Sequence, residues 1–202
     1  AHSDIEILRS QRASCAQLNQ GVILFNKGRL NKREVYQPEH FSVEFDPSHD
    51  QILGVEFSLS FRENGYTLDI SQEADRLTAY NFQDGVDVKT ADLDAFSHKS
   101  IECKYSAWVE HPLYRFRVMK GPRLQEFLIE QTTTSSSFQF QSYDQLANWV
   151  IDNLKTESNE KQQSSLLTVE LQGHLIQKLA DYLNASIDEL QAYEPVSYTH
   201  LT

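Results

Sequence analysis

Apolar and polar positions alternate along much of the first 140 residues, and after that the apolar ones recur at helical spacing. Phe41, Val43 and Phe45 alternate with Ser42, Glu44 and Asp46, the pattern of a half-buried strand that stops at Pro47. Val55, Phe57, Leu59 and Phe61 alternate with Glu56, Ser58 and Ser60 in the same way. Asn64-Gly65 then predicts a hairpin turn whose two central residues tolerate positive φ, with 66–70 returning as the partner strand. A shorter apolar run at 22–25 is closed by Lys27-Gly28. Residues 71–80 are expected as a short helix, and 81–100, with Asp84-Gly85, as a polar connecting loop. In a second β group, Ile101, Cys103, Tyr105, Ala107 and Val109 are expected on one face, and His111-Pro112 turns the chain. Tyr114, Phe116 and Val118 then alternate with Arg115 and Arg117. Gly121-Pro122 turns again toward the apolar run at 124–129, 132–137 reads as a polar loop, and 138–140 as a short strand.

The period then switches from two to 3.6 residues. Ser142 and Gln145 form a capping-box pattern ahead of Leu146, Trp149, Val150 and Leu154. Residues 155–165 lack apolar side chains and read as a polar linker. Leu167, Leu171, Leu175, Leu179 and Leu183 predict a helix over 166–183, and Ser186 with Glu189 predicts a cap for a short final helix. The expected fold class is therefore α+β: a mostly antiparallel β-sheet region followed by C-terminal helices. The expected divisions are a β-rich domain at 1–155, a linker at 156–165 and a helical element at 166–195.

Composition adds bounds. The chain has 202 residues, 40% hydrophobic and 23% charged, which suits one or two small domains. No apolar run reaches the roughly 18 residues of a membrane span. Cys15 and Cys103 are the two cysteines, which argues against a disulfide framework or a cysteine zinc site and points to a reducing, cytoplasmic setting. The net charge of −11 is uneven. Residues 1–40 carry Arg9, Arg12, Lys27, Arg29, Lys32 and Arg33 against Asp4, Glu6, Glu34 and Glu39, a balance of +2 that leaves −13 on the remainder. An acidic body disfavours broad contact with nucleic acid. The basic front reads either as a phosphate-facing surface or as the solvated side of a strand pair.

Candidate chemistry is sparse. His2, His40, His49, His98, His111 and His174 are scattered, without HxH or HExxH spacing. His49-Asp50 and Glu110-His111 are sequence neighbours, and neighbours on a strand face opposite ways. Asp92 and Asp94 are a minimal acidic pair in a polar loop. Walker A, GxSxG and GxGxxG patterns are missing from the sequence, and seven glycines leave little material for phosphate-cradling loops. The end of the chain also bears comparison with a helix-turn-helix. Ala180 takes the small-residue position, Leu179, Leu183, Ala185, Leu190 and Tyr193 the buried ones, and Asn184 the turn. The second helix would then carry three acids and no Lys or Arg, which phosphates repel. The stretch 179–190 instead resembles the closing helices of Cro/repressor-like domains.

A stretch near the front resembles a known family. Asn19-Gln20-Gly21-Val22-Ile23-Leu24-Phe25-Asn26-Lys27-Gly28-Arg29-Leu30 is similar to the strand and turn opening the second domain of GHKL-type (gyrase, Hsp90, MutL-like) ATPases. Ile5-Glu6-Ile7-Leu8-Arg9 is similar to a preceding strand of that family. Residues 41–46 followed by Asp50-Gln51-Ile52-Leu53-Gly54-Val55-Glu56-Phe57 are similar to a later strand pair. The likeness covers about residues 1–70. Ser58, Leu59 and Ser60 stand where the family commonly carries a lysine that reaches the γ-phosphate. The resemblance implies a non-catalytic transducer with Lys27 and Arg29 as cofactor-facing residues. ATP and Mg²⁺ would belong to a nucleotide domain upstream, and downstream helices would associate with a protein partner or with themselves. The alternative expectation is a non-enzymatic interaction or regulatory domain; a DNA-binding regulator is third. The terminal Val196-Ser197-Tyr198-Thr199-His200-Leu201-Thr202 resembles a translated sequencing adapter, and the chain starts at Ala1, so both natural ends are expected to be missing and the tail is set aside.

Overall fold

The computed structural model describes residues 21–28, 31–72, 77–88, 100–130, 135–158 and 167–193. Two units are described, one over 21–142 and one including 143–193. The first is built on two sheets. The larger holds β1 (Val22–Lys27), β2 (Lys32–Val35), β4 (Gln51–Leu53), β5 (Val55–Arg62), β6 (Gly65–Gln72), β7 (Thr78–Asn81), β8 (Val86–Val88), β9 (Ser100–Cys103) and β12 (Ser135–Phe140). The smaller orders β10 (Val109–His111), β11 (Tyr114–Lys120) and β3 (Phe41–Phe45). Pairing is antiparallel except where Phe140 of β12 meets Leu53 of β4. One short helix, α1 (Leu124–Glu130), precedes β12. The α+β class is as the periodicities predict.

The alternating residues of β3, β5 and β11 supply the core between the sheets. Phe41, Val43 and Phe45 are buried, as are Tyr114, Phe116 and Val118. Against them lie Phe57 of β5 and Phe138 of β12, stacked at 4.8 Å between centroids. Phe116 meets Phe57 edge-on at 5.1 Å and Phe138 at 4.9 Å, so the small sheet is locked to the large one by rings. Such edge and offset contacts add about 0.5–1.5 kcal/mol each beyond simple burial. Gln51 joins the same corner. Its fully buried amide donates to the carbonyls of Asp46 and His49 at 2.9 and 3.1 Å, and its Oε1 accepts from the Arg115 N–H at 3.0 Å. It thereby satisfies backbone groups where the chain leaves one sheet for the other.

Several sequence expectations change. Thr78–Asn81 is strand, not the end of a helix, and Asp84-Gly85 is the turn between β7 and β8, with Gly85 at φ 67°. Thr78–Asn81 is held there by pairing with β4 on one side and β8 on the other. The face running from Ile101 to Val109 is interrupted: β9 ends at Cys103, and Ser106, at φ 62°, bends the chain before β10. Residues 124–130 form a helix, and β12 begins at Ser135, inside the expected polar loop. In the β5–β6 hairpin Arg62 pairs with Gly65, so the loop is Glu63-Asn64, without positive φ. Gly65 is required for another reason. A Cβ there would lie 2.4 Å from the Cys103 carbonyl of the neighbouring strand.

The second unit contains α2 (Tyr143–Asn153), a hairpin of β13 (Leu154–Ser158) with β14 (Leu167–Leu171), and α3 (Ile176–Tyr193). Helix α2 starts directly after Ser142, as the capping pattern predicts. The single helix expected over 166–183 is divided. Leu167 and Leu171 pair with Ser158 and Leu154 as strand, and α3 starts only at Ile176. Lys155–Ser158 of the expected linker is strand for the same reason. The predicted break near Ser186 is also missing, because Ser186 donates to the Tyr182 carbonyl at 3.0 Å one turn back within one 18-residue helix. The turn that a helix-turn-helix needs at Asn184 is therefore helical. No helix of the described residues is long and apolar enough to cross a membrane.

Substituting Gly65→Ala is expected to cost about 1–3 kcal/mol, the range of an overpacked backbone contact. Gly28→Ala is the control, since the nearest atom to its Cβ is the Asn31 carbonyl at 3.6 Å. Urea denaturation of both variants checks the difference.

Candidate functional site

Four polar or exposed groups are candidates, and the geometry separates them. The first surrounds Lys27. Its ammonium lies 2.8 Å from Glu56 Oε2, and Lys32 reaches Oε1 at 3.2 Å. Glu56 is buried at the start of β5 and also accepts from the Ser137 hydroxyl of β12. Lys27 contacts Ser58 Oγ at 3.4 Å, and Lys32 sits 4.2 Å over the Phe25 ring. A buried carboxylate needs a counter-charge, and the lysines on the edge-side hairpin β1–β2 supply it. Arg29, the other residue named with Lys27, lies outside the described residues.

The second group centres on His40, just before β3. The Ser136 hydroxyl donates to Asn26 Oδ1 at 3.1 Å, which leaves its oxygen to accept from His40 Nε2 at 3.1 Å. This is the reverse of a nucleophile–base pair, in which the imidazole accepts from the hydroxyl. Ser136 is also fully buried. The His40 ring stacks on Phe127 of α1 at 3.7 Å, and its burial lowers its pKa to about 4. Beside it a cavity of about 210 Å³ is lined by Glu39, His40, Arg123, Glu126, Phe127 and Glu130. Arg123 bridges Glu39 and Glu126 at 2.7 and 2.6 Å.

The third group is Trp108, which has the Arg115 and Arg117 guanidinium groups each 4.8 Å from its ring. Both arginines are paired, Arg115 with Asp46 and Glu110, Arg117 with Glu44. The ladder ties β3 to β11 and β10 across the outer face of the small sheet.

The remaining sequence candidates are dispersed. His49 Nδ1 contacts the Asp50 carbonyl at 3.1 Å. His111 Nδ1 accepts from the Leu113 N–H, and its pKa is lowered by burial and then by nearby His49. Cys103 is a free thiol whose pKa burial raises, the opposite of an activated cysteine. His174 is exposed ahead of α3. His2, His98, Cys15, Asp92, Asp94 and the 196–202 tail lie outside the described residues. Among the described residues, no three His, Cys, Asp or Glu side chains gather to hold a metal.

The fourth group is apolar and exposed. In the 143–193 unit, one face of α3 places Tyr182 and Ala185 in the interior, and Leu146, Ala147 and Val150 of α2 are buried. The void left beside these residues is only about 10 Å³, too small for an organic ligand. Outward, Trp149 is 40% exposed, Val169 39%, Ile176 81% and Ile187 49%. The leucine stripe expected over 166–183 ends at Leu183 with Ile176 and Ala180 flanking it, and the outward stripe that runs on to Ile187 was not recognised. The 4-3-4 spacing of Ile176, Ala180, Leu183 and Ile187 is the signal that could have found it. No protein-family model matches the chain, and no curated protein matches it.

Two outcomes follow from the buried pairs. Unfolded His40 titrates near 6.5 and folded His40 near 4, so between these values the unfolded chain binds more protons. Its contribution to stability is full above pH 6.5 and is lost as pH falls toward 4, with a ceiling of about 3–4 kcal/mol. Denaturation curves at pH 7 and 4.5 should show the loss, and His40→Gln should flatten it. Separately, Glu56→Ala should cost about 1–3 kcal/mol, because the buried Ser137 hydroxyl loses its acceptor. Arg123→Ala, on an exposed pair, should leave stability nearly unchanged.

Proposed function

We propose that this chain is a non-catalytic protein-interaction module whose binding surface is the outer face of the 143–193 unit. The observation that carries it is the exposure of Trp149, Val169, Ile176 and Ile187 on one small unit. Scattered single apolar residues on a surface are ordinary, but several large ones exposed on one small unit are the kind of surface that contacts use. Trp is also among the residues that dominate interface energies. The polar clusters fit this reading: Glu56 is neutralised by Lys27 and Lys32, and Ser136 and His40 are bonded to each other inside the core.

The GHKL likeness remains a second reading, and it shares the association step. A transducer needs no catalytic set of its own and passes movement to downstream helices that associate. It differs in requiring nucleotide in the intact protein, with Lys27 and Arg29 turned toward it. Lys27 is favoured for that role only if it leaves Glu56 when ATP is present. A change in the Lys27 Nζ resonance on adding ATP to the intact protein would support the transducer; an unchanged resonance would leave the simpler module.

A photo-reactive phenylalanine analogue placed at Val169 or Trp149 in producing cells tests the interaction itself. Cross-linked species, identified by mass spectrometry, are expected at both positions and not at exposed Lys104. Equal labelling at Lys104, or none at Val169 and Trp149, would sink the proposal.

A further inference from the structure

The outer stripe of α3 has a pattern that suits one kind of partner. Ile176, Ala180, Leu183 and Ile187 are spaced four, three and four residues apart, the spacing of a coiled-coil seam. Ile176, Ala180 and Ile187 are exposed and Leu183 is half-buried, while Tyr182 and Ala185 turn inward. The helix therefore has two apolar faces, and its own unit covers one of them.

We infer that α3 pairs antiparallel with α3 of a second copy of this chain, Ile176 against Ile187 and Ala180 against Leu183. This rests on the interaction-module reading and names its partner. The argument has two parts. The seam is the same read from either end in spacing, so a two-fold axis through its middle maps it onto itself, as an isologous interface requires. That axis sets a small residue opposite a larger one, Ala180 facing Leu183, twice, which lets the helices approach without a gap.

Charge gives the second part. The chain carries −11 overall, so two copies repel. The residues flanking the seam are Gln177, Leu179, Asn184 and Ser186, all uncharged. Asp181 and Asp188 lie one position further round the helix, and Asp181 is bonded to Gln177 at 2.8 Å. Like charge is thus kept away from the one surface where identical faces would meet. A second copy with the same neutral flanks meets little like-charge repulsion along the seam itself. The contact is a single helix about 27 Å long, shorter than a standard interface, so it dissociates on dilution.

The test uses the full chain. Sedimentation equilibrium from about 10 µM to about 1 mM should show a reversible monomer–dimer equilibrium. Ile176→Glu with Ile187→Glu should weaken association at least about tenfold without altering the circular dichroism, since both positions face outward. Orientation is read by disulfide trapping in a background where Cys15 and Cys103 are replaced by alanine. An equimolar mixture of Ile176→Cys and Ile187→Cys chains should cross-link one to the other. Ile176→Cys alone should not, because two copies of that position would lie about 16 Å apart along the axis. Homotypic cross-linking of Ile176→Cys overturns the antiparallel seam. A monomer throughout the concentration range overturns self-association, and photo-cross-links from Val169 to a different protein would then leave the interaction-module reading standing alone.

Discussion

The fold depends on one strand that has to satisfy neighbours on both edges and both faces. β12 pairs with all six residues of β1 on one side and with β5 and β4 on the other. Its second half, Phe138 to Phe140, inserts two rings between the sheets. Its first half is Ser135, Ser136 and Ser137, and the last two are fully buried. A buried hydroxyl without a partner costs about 1–3 kcal/mol. The partners come from both faces of the strand: Asn26 and His40 for Ser136, Glu56 for Ser137.

Those two serines explain why the polar clusters exist. Glu56 sits inside because Ser137 and two lysines hold it there. Its position in turn draws Lys27 and Lys32 back onto the sheet instead of into solvent. His40 stays neutral because burial disfavours its charged form, with its ring stacked on Phe127 and bonded to Ser136. In this structure these polar groups bond to one another across the sheet junction.

Much of the β architecture was legible in alternation. β3, β5, β6 and β11 bury one face with a period of two, and each was visible as such. The hairpin after β5 was legible from Asn64-Gly65, although its turn falls one residue earlier, and the reason for Gly65 was not local. It is the Cys103 carbonyl, brought by a strand some 40 residues away in sequence. β12 was half missed because serines carry no strand pattern, and the signal that makes them strand is pairing with β1. Lys27 was visible as a candidate, whereas its partner Glu56 read only as the polar side of an alternating strand.

The helical end went the other way. Leucines every four residues, from Leu167 to Leu183, suggested one helix, yet the first two of them pair as strand with β13. Side-chain periodicity decides which positions want burial, and for short runs strand and helix meet that demand equally well. Pairing across a turn then chooses between them. The sequence by itself determined the fold class, the strands with strict alternation and the start of α2, because local patterning and capping suffice for these. Only the tertiary structure decided the two-face character of α3, the strand state of the serines and the burial of Glu56. Each depends on a partner distant in the chain, and a partner's position is a property of the packed whole.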